Sequence, residues 1–331
     1  MELISNSEIE IKEWNEFVKD SEFSSPFQTY EFYNLVNSIP AQSAEVFAVR
    51  ENSKLLALCV VTLQKEHGIK GFFSRRAIIY GGPVLSGNLN ASKLLLKHLT
   101  EKIKSVIYIE TRNLNNYSGY KNEFRFAGWK YEPYLNLRLK CTDEEIIWKN
   151  LNSNRQRQIK KALKEGVIIE EAKTEEDVKE FYTILSLLYK TKIRKPLLPL
   201  EFFVKFFNSG VGKILLVKKE NKVIGGIAAP ILESKCIYEF YICGLDQDYK
   251  EFSPSVMATY AAIQFGYKSN LKYFDFMGAG KPGSDYNVRS FKEKFGGELI
   301  EYGRFIRVNK RFLYFLGKTA IYFLSFKKRL G

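Results

Sequence analysis

Residues Phe274–Gly297 read FDFMGAGKPGSDYNVRSFKEKFGG. The run Leu271–Met277, which overlaps its start, is short, apolar and aromatic, and this predicts a buried strand. Gly278, Gly280 and Gly283 follow, and glycine allows the backbone conformations that sharp turns need. The stretch therefore predicts a strand that ends in a glycine-rich loop.

A short basic motif closes the same stretch. Phe291 and Phe295 are four residues apart, so they share one face of a helical turn that carries Lys292 and Lys294. The pair Gly296–Gly297 then ends the turn. This order of elements is typical of a substrate site, although an ordinary surface loop and basic helix turn in any α/β protein would look the same.

These features resemble the ending of the Fem-type peptidoglycan interpeptide-bridge aminoacyltransferases and their GNAT-like relatives, in which a strand, an aspartate and a glycine-rich loop precede Phe-Lys-x-x-Phe-Gly. The resemblance implies that Lys292 binds the phosphates of a nucleotide-linked or lipid-linked peptide and helps to stabilise charge. Lys294 is a further candidate for substrate binding, or simply a surface residue.

The chain repeats itself. The segment 47–61, FAVRENSKLLALCVV, returns at 216–230 as LVKKENKVIGGIAAP, and each copy predicts a β-hairpin with Glu-Asn at its turn. In the same alignment Phe126 matches Phe295, which places Glu123 opposite Lys292. Strands and helices alternate in both halves, which indicates mixed α/β sheets in two domains, 1–142 and 143–331.

The order of elements resembles a tandem GNAT acyltransferase of the Fem type, and the segments FQTYEFYNLV, IIYGGPVL and YIETRN look like landmarks of that family. The longer helices are predicted at about 9–19, 29–37, 90–104, 174–192, 200–208 and 254–269. Only two ordinary helices fit between residues 173 and 213, so the long coiled-coil arm of some members is absent.

Composition limits the kind of protein. Among 331 residues there are four cysteines without a CxxC pair and two histidines, so free buried thiols are expected and a zinc site or His-based triad is poorly supported; no metal is expected. No apolar run reaches the roughly 18 residues of a membrane span, and the acidic start lacks the pattern of a signal peptide. A cytoplasmic protein is expected.

Positive charge is concentrated in the second half. Residues 1–150 hold 19 Lys and Arg against 18 Asp and Glu, whereas residues 151–331 hold 32 against 19. Such a basic half suggests a polyanionic partner, which could be RNA, a nucleotide diphosphate or an anionic membrane surface.

A basic stripe lies on the predicted linking helix, Asp143–Gly166. Arg157, Lys160, Lys161 and Lys164 recur at helical spacing, and apolar residues project from the other side. The stripe is either a solvated helix face or a track for the phosphates of tRNA or a nucleotide substrate.

Two carboxylates are candidates for proton transfer. Glu110 ends one apolar strand and Asp275 lies within another, at equivalent places in the two halves. A buried carboxylate either accepts structural hydrogen bonds or has a raised pKa suited to taking a proton from an attacking amine. The resemblance ranks Glu110 first, because the family has an acid at that strand end.

Three further residues are candidates for substrate binding. Arg194 precedes Lys195-Pro196, where a helix must stop, and its planar guanidinium suits a diphosphate or carboxylate; it also suits a helix C-terminus. Arg112 belongs to the YIETRN landmark, and Tyr241 is a weaker candidate on an apolar strand.

The sequence leaves open the identity of the acyl donor and the role of the C-terminal tail. GNAT proteins present a glycine-rich turn at a helix N-terminus to the pyrophosphate of acetyl-CoA, but here the corresponding residues 248–255 read DYKEFSPS, which weakens acyl-CoA binding without excluding it. The tail 310–331 combines a wide apolar face with basic ends, as in an interfacial membrane helix or in a helix docked on the core.

The leading hypothesis is an aminoacyltransferase that uses aminoacyl-tRNA as co-substrate, with no bound cofactor and no covalent nucleophile, and a UDP-linked or lipid-linked peptidoglycan precursor as acceptor. It would act in the cytoplasm, at the inner face of the membrane if the tail binds lipid. The alternatives are an N-acyltransferase that uses acetyl-CoA or another acyl-CoA on a cell-envelope or capsule sugar or peptide, and a non-enzymatic RNA- or membrane-binding module.

Overall fold

The computed structural model describes residues 1–65 and 74–319. The chain forms two compact units, Met1–Pro133 with the segment from Tyr302 onward, and Tyr134–Glu301. Each unit is a mixed α/β sheet with helices packed on it, as the sequence predicts.

The sheet of the first unit runs in the order β1-β2-β3-β4-β6-β16-β7, with β5 paired to β3 and labels following the chain. Its strands are β1 Glu2–Ser5, β2 Ser43–Glu51, β3 Lys54–Gln64, β4 Arg76–Gly81, β5 Val84–Leu85, β6 Tyr108–Asn113, β7 Lys130–Glu132 and β16 Arg304–Val308. Its helices are α1 Ile11–Asp20, α2 Tyr30–Asn37, α3 Leu89–Lys102 and α4 Lys121–Phe126, with 3-10 turns at Asn6–Glu8, Pro26–Gln28 and Ser118–Tyr120. Only β4 and β6 pair in parallel among these strands.

The sheet of the second unit runs β15-β8-β14-β12-β11-β10-β9, with β13 paired to β11. Its strands are β8 Leu135–Lys140, β9 Val167–Glu171, β10 Gly212–Lys219, β11 Lys222–Leu232, β12 Cys236–Tyr238, β13 Tyr241–Gly244, β14 Tyr273–Asp275 and β15 Glu298–Glu301. Its helices are α5 Glu144–Asn150, α6 Ser153–Lys164, α7 Glu175–Leu188, α8 Leu200–Asn208, α9 Pro254–Lys268 and α10 Asn287–Glu293, and a π-helical turn, Tyr189–Ile193, continues α7. The parallel pair here is β12 with β14.

The internal repeat is real, but its alignment differs from the predicted one by a single position. The repeated segments align Val49 with Lys218, whereas the structure aligns it with Val217, because the register shift after Val49 in β2 recurs after Val217 in β10. The two-residue hairpin turns are Asn52–Ser53 and Glu220–Asn221, with positive φ at all four positions. The shared Glu-Asn dipeptide therefore misplaced the alignment, because turn geometry and not dipeptide identity sets the hairpin register.

The corrected alignment changes the counterpart of Lys292. Gly128 now corresponds to Gly296, and these glycines have φ of +80° and +83° and follow the ends of α4 and α10. Phe124, not Glu123, therefore corresponds to Lys292. Phe124 is fully buried in the core of the first unit, so a buried aromatic ring in one half is replaced by a buried lysine in the other.

The unit boundaries also differ from the predicted division at 142/143. β8 precedes that boundary yet belongs to the second sheet, between β14 and β15, and β16 belongs to the first sheet, between β6 and β7. Pairing with the central strands, and not position along the chain, decides the unit to which each strand belongs.

The predicted linking helix Asp143–Gly166 is two helices, α5 and α6. Asn152 has an extended backbone and accepts a hydrogen bond from the amide of Asn154, which caps α6. The Gln156 amide donates to the carbonyls of Trp148 and Leu151, which end α5. Polar side chains at the junction thus replace the helical hydrogen bonds that the break removes.

A buried ion pair joins β8 to β14. Arg138 and Asp275 are direct partners in the strand register, and the Arg138 Nη2 and Nε atoms lie 3.1 and 3.2 Å from Asp275 Oδ2. The amide of Met277 donates to Asp275 Oδ1 at 2.7 Å. Burial raises the pKa of the fully buried Asp275, and the Arg138 guanidinium opposes this rise.

Replacing Arg138 by methionine should lower the free energy of unfolding by about 3–5 kcal/mol, because the carboxylate of Asp275 would stay buried without its counter-charge. Urea denaturation of the full chain measures this. The double variant R138M/D275N should recover part of the loss, and Arg125→Met, at an exposed position, serves as the control. Equal losses in the single and double variants would contradict this account.

Candidate functional site

The Lys292 motif lies where the parallel strands β12 and β14 separate. The amide of Glu239, just after β12, still donates to the carbonyl of Asp275 at the end of β14, at 2.9 Å. Beyond this point the segment after β12 continues into β13, which pairs with β11. The segment after β14 enters the glycine loop. A gap between separating parallel strands is a place where a substrate can approach the backbone.

Lys292 bridges the two segments that follow β12 and β14. Its side chain is buried, and Nζ lies 3.0 Å from Glu239 Oε1 on one side. On the other side Nζ donates to the carbonyl oxygens of Phe276 at 2.5 Å and Gly278 at 3.0 Å. An ammonium group has three N–H donors, and three acceptors surround this one. Lys292 would have to give up one of them in order to bind a phosphate.

Glu239 is a site residue that the sequence analysis missed. It is buried, and its Oε2 atom has no hydrogen-bond partner in the described parts of the chain. Burial raises the pKa of Glu239, while the Lys292 ammonium lowers it and Asp275 raises it further. One signal was available, because a lone carboxylate interrupts the apolar strand run Cys236–Cys243.

The glycine loop after β14 turns as predicted. Met277, Gly278 and Gly280 all have positive φ, and an added Cβ at Gly280 would lie 2.8 Å from the Tyr286 ring. The Arg289 side chain donates from Nε to the carbonyl of Ala279 at 2.7 Å. Side-chain hydrogen bonds from α10 therefore hold the loop against the strand end.

Arg155, which the sequence analysis also missed, joins the basic helix α6 to the Phe291 motif. Its guanidinium lies 4.5 Å from the Phe291 ring and 5.0 Å from the Phe295 ring, and Nη2 donates to the Phe291 carbonyl at 3.3 Å. Burial lowers the pKa of Arg155, and cation–π contacts compensate part of the lost hydration. The two predicted features thus pack against each other.

The basic stripe on α6 is exposed. Arg157, Lys160, Lys161 and Lys164 line an open depression of about 490 Å³, together with Ser153, Gln156 and Glu165. Lys294 is exposed as well, and its carbonyl accepts from the amide of Asn152 at 2.9 Å, at the start of α6. Five exposed cations therefore lie on and beside this helix.

Arg194 and Tyr241 lie elsewhere in the second unit. Arg194 is exposed with φ of +54°, and its Nε donates to the carbonyl of Thr191 in its own turn at 3.2 Å. The Tyr241 ring lies 6.1 Å from that of Tyr189, at the start of the same π-helical turn. π-helical turns occur frequently at functional sites.

In the first unit, Glu110 and Arg112 lie together. Glu110 is buried and pairs with Arg304 of β16, while Arg112 Nε lies 3.6 Å from Glu110 Oε1. The Arg112 guanidinium also lies over the Tyr80 ring at 5.2 Å. Glu110 and Asp275 thus share an arrangement, since each pairs with an arginine on the antiparallel neighbour of its strand.

The helix N-terminus that corresponds to the CoA pyrophosphate site of GNAT domains carries a carboxylate. Asp246 Oδ1 accepts from the amide of Ser255 at 2.9 Å, and Oδ2 accepts from its hydroxyl at 2.5 Å. Ser255 lies in the first turn of α9, after Ser253, whose backbone is left-handed. Asp246 therefore supplies the negative charge that this helix end favours.

The described part of the tail, residues 311–319, is helical. Its Tyr314 ring packs at 5.3 Å on Tyr108, whereas Phe312, Phe315 and Leu316 are exposed. The remainder of the predicted interfacial segment, residues 320–331, lies outside the described residues. Within residues 1–65 and 74–319, no helix combines the length and apolar character of a membrane span, and no cluster of three or more metal-binding side chains occurs.

Comparison with known proteins agrees with this architecture. Residues 149–288 match the acetyltransferase (GNAT) domain family. The structure of FemX superposes with a TM-score of 0.73 at 14% identity, covering 96% of this chain and 99% of that one. No curated protein sequence matches the chain.

Two other solved structures have lower scores. The C-terminal domain of a putative lysylphosphatidylglycerol synthetase from Agrobacterium fabrum gives a TM-score of 0.58 at 12% identity, covering 90% of this chain and 91% of that one. A tandem GNAT protein from the clavulanic acid biosynthesis pathway gives 0.56 at 8% identity, covering 93% and 99%. The domain match supports an acyltransferase, and the solved structures show the fold. The chain has the Fem-type tandem GNAT fold, with a GNAT domain in its second half.

Proposed function

We propose that this protein is an aminoacyltransferase that moves an amino acid from aminoacyl-tRNA to an amine of a peptidoglycan precursor peptide, either UDP-linked or lipid-linked. The observation that carries the choice of donor is the basic face of α6. Its four cations are exposed on one depression, and α6 packs through Arg155 on the motif that contains Lys292. A nucleic acid bound along this face would lie beside the candidate site.

The chemistry needs no covalent intermediate on the protein. A neutral amine attacks the ester carbonyl of the aminoacyl group, a C–N bond forms, and the C–O bond to the tRNA ribose breaks. The protein has to align the two substrates, accept a proton and stabilise the oxyanion. The predicted roles of Lys292, Glu110 and Asp275 in these steps stay predictions, since both carboxylates are held by arginines and Lys292 by three acceptors.

Asp246 argues against acyl-CoA as donor. A pyrophosphate at the N-terminus of α9 would have to displace this carboxylate from the Ser255 amide and overcome its charge. Aminoacyl-tRNA needs no pyrophosphate at this place.

An acyl-CoA-dependent N-acyltransferase is the second candidate, because residues 149–288 match an acetyltransferase domain. A non-enzymatic RNA- or membrane-binding module is the third, and the exposed Phe312 and Phe315 favour its membrane form. The proposed aminoacyltransferase would act in the cytoplasm and contact the inner face of the membrane through residues 310–331.

Incubation of the full chain with labelled aminoacyl-tRNAs and a mixture of UDP-linked and lipid-linked peptidoglycan precursors should transfer label to the precursor. Acetyl-CoA in place of aminoacyl-tRNA should give none. Mass spectrometry of the products identifies the modified amine. Transfer from acetyl-CoA alone would refute the proposed donor.

Reversing charge on the basic face, as K160E/K161E/K164E, should weaken tRNA binding at least tenfold at low salt. It should also reduce the slope of log affinity against log salt by about 2, because the contacts to phosphates are lost. Fluorescence anisotropy with labelled tRNA measures both quantities.

The matched control is K97E/K102E/K104E, which reverses three exposed lysines of the first unit. It carries the same change in net charge and should have the smaller effect on affinity and slope. Equal effects of the two triple variants would mean that only net charge matters and that the basic face of α6 is not a specific track.

Asp246→Ala should increase the binding of inorganic pyrophosphate and CoA, because it frees the Ser255 amide at the N-terminus of α9 and removes a repelling charge. Thermal melts with and without each compound measure this as a larger rise of Tm in the variant than in wild type. Asp248→Ala, at an exposed position nearby, should behave as wild type. Strong CoA binding by the wild-type protein would contradict this interpretation.

A further inference from the structure

Glu239 holds an unused hydrogen-bond acceptor beside Lys292 in the candidate site. The Lys292 ammonium has its three donors directed at three acceptors, whereas Glu239 uses only Oε1 for that pair. Its Oε2 atom is buried and has no hydrogen-bond partner in residues 1–65 and 74–319. An unsatisfied buried carboxylate oxygen costs free energy, so a group that remains so is a candidate for function.

We propose that Glu239, through Oε2, is the general base that takes the proton from the acceptor amine, and that Lys292 is the residue that positions it. This inference rests on the proposed function and adds to it a catalytic group for the same site. As the amine nitrogen bonds to the ester carbonyl carbon, its proton moves to Oε2. As the C–O bond breaks, Glu239 returns this proton to the departing ribose oxygen, so the carboxylate is regenerated.

The position of Glu239 suits this task. It follows β12, directly before the half-buried Phe240 and Tyr241, and faces the loop in which Met277 and Gly278 are half-buried. The carboxylate therefore lies just beneath the surface at which the two strands separate. An amine that reached Oε2 would meet a carboxylate oxygen that no described group uses.

Its electrostatic surroundings make Glu239 a stronger base than an ordinary glutamate. The charged groups that act on Glu239 are Lys292 of α10 and Asp275 of β14, and Arg138 of β8 neutralises Asp275. Burial raises the pKa of Glu239 above its ordinary value of 4.5, and a carboxylate with a raised pKa is a stronger base. Transfer should therefore fall at acid pH as Glu239 becomes protonated.

Glu239→Gln tests the proposal, because the amide keeps the shape and an acceptor for Lys292 but cannot take a proton. In the assay with aminoacyl-tRNA, or with acetyl-CoA if that proves to be the donor, kcat should fall about 100-fold or more with little change in KM. The acid limb of the pH profile should disappear. Glu233→Gln, an exposed glutamate in the same β11–β12 hairpin, should retain both.

Lys292→Met separates positioning from mere structure. Loss of the ammonium should raise the pKa of Glu239 and so move the acid limb to higher pH, whereas a purely structural lysine would leave the limb in place in the folded fraction. Thermal melts confirm folding of each variant. Glu239→Asp, which keeps a carboxylate and should retain part of the activity, replaces Glu239→Gln if that variant does not fold.

A measurement without substrate tests the role of Glu239 separately from the identity of the acyl donor. The difference infrared spectrum between wild type and the Glu239 variant should show a carboxyl band that titrates above pH 4.5. A band that titrates at or below this value, or transfer that persists unchanged in Glu239→Gln with either donor, would overturn the proposal. Transfer from acetyl-CoA that requires Glu239 would refute the donor and keep the base.

Discussion

An arginine on a neighbouring antiparallel strand neutralises the buried carboxylate of the central parallel strand in each unit. Arg138 does this for Asp275, and Arg304 does it for Glu110. A buried charge without a partner would cost several kcal/mol, so the neighbouring strand has to be the one that carries the arginine. These ion pairs join β8 to the second sheet and β16 to the first.

Arg138 pairs with Asp275 on one side of β14, and β12 separates from it on the other side. β12 runs parallel to it only as far as Tyr238 and then diverges, and Lys292 spans the divergence through the Glu239 carboxylate and two backbone carbonyls. In the first unit the position of Lys292 is occupied by Phe124, stacked on Phe305 at 3.7 Å. The duplicated scaffold is therefore shared, and the buried lysine–glutamate pair distinguishes the second copy.

The question of the donor rests on two surfaces of the second unit. The exposed cations of α6 lie on an open depression, and the Ser255 amide at the N-terminus of α9 donates to Asp246. The positive charge of α6 favours an extended polyanion, whereas the Asp246 carboxylate opposes a compact anion at the N-terminus of α9. A tRNA donor fits both features, and acyl-CoA fits only the domain match.

Local patterns were sufficient for the six longer helices, the glycine loop and the amphipathic character of α6, because the 3.6- and 2-residue periods, caps and turn residues act over a few residues. They did not reveal the break between α5 and α6. The duplication could be predicted for the same reason, although Asn52–Ser53 and Glu220–Asn221 show that turn geometry sets the alignment of its two hairpins. The partners of the buried charges could not be predicted from the sequence. Arg138 is 137 residues from Asp275, and β13, α9 and β14 separate Glu239 from the helix that contains Lys292 along the chain. Such pairs form because burial forces each charge to find an opposite one, and the packing of strands and helices, not the neighbouring sequence, determines which one it meets.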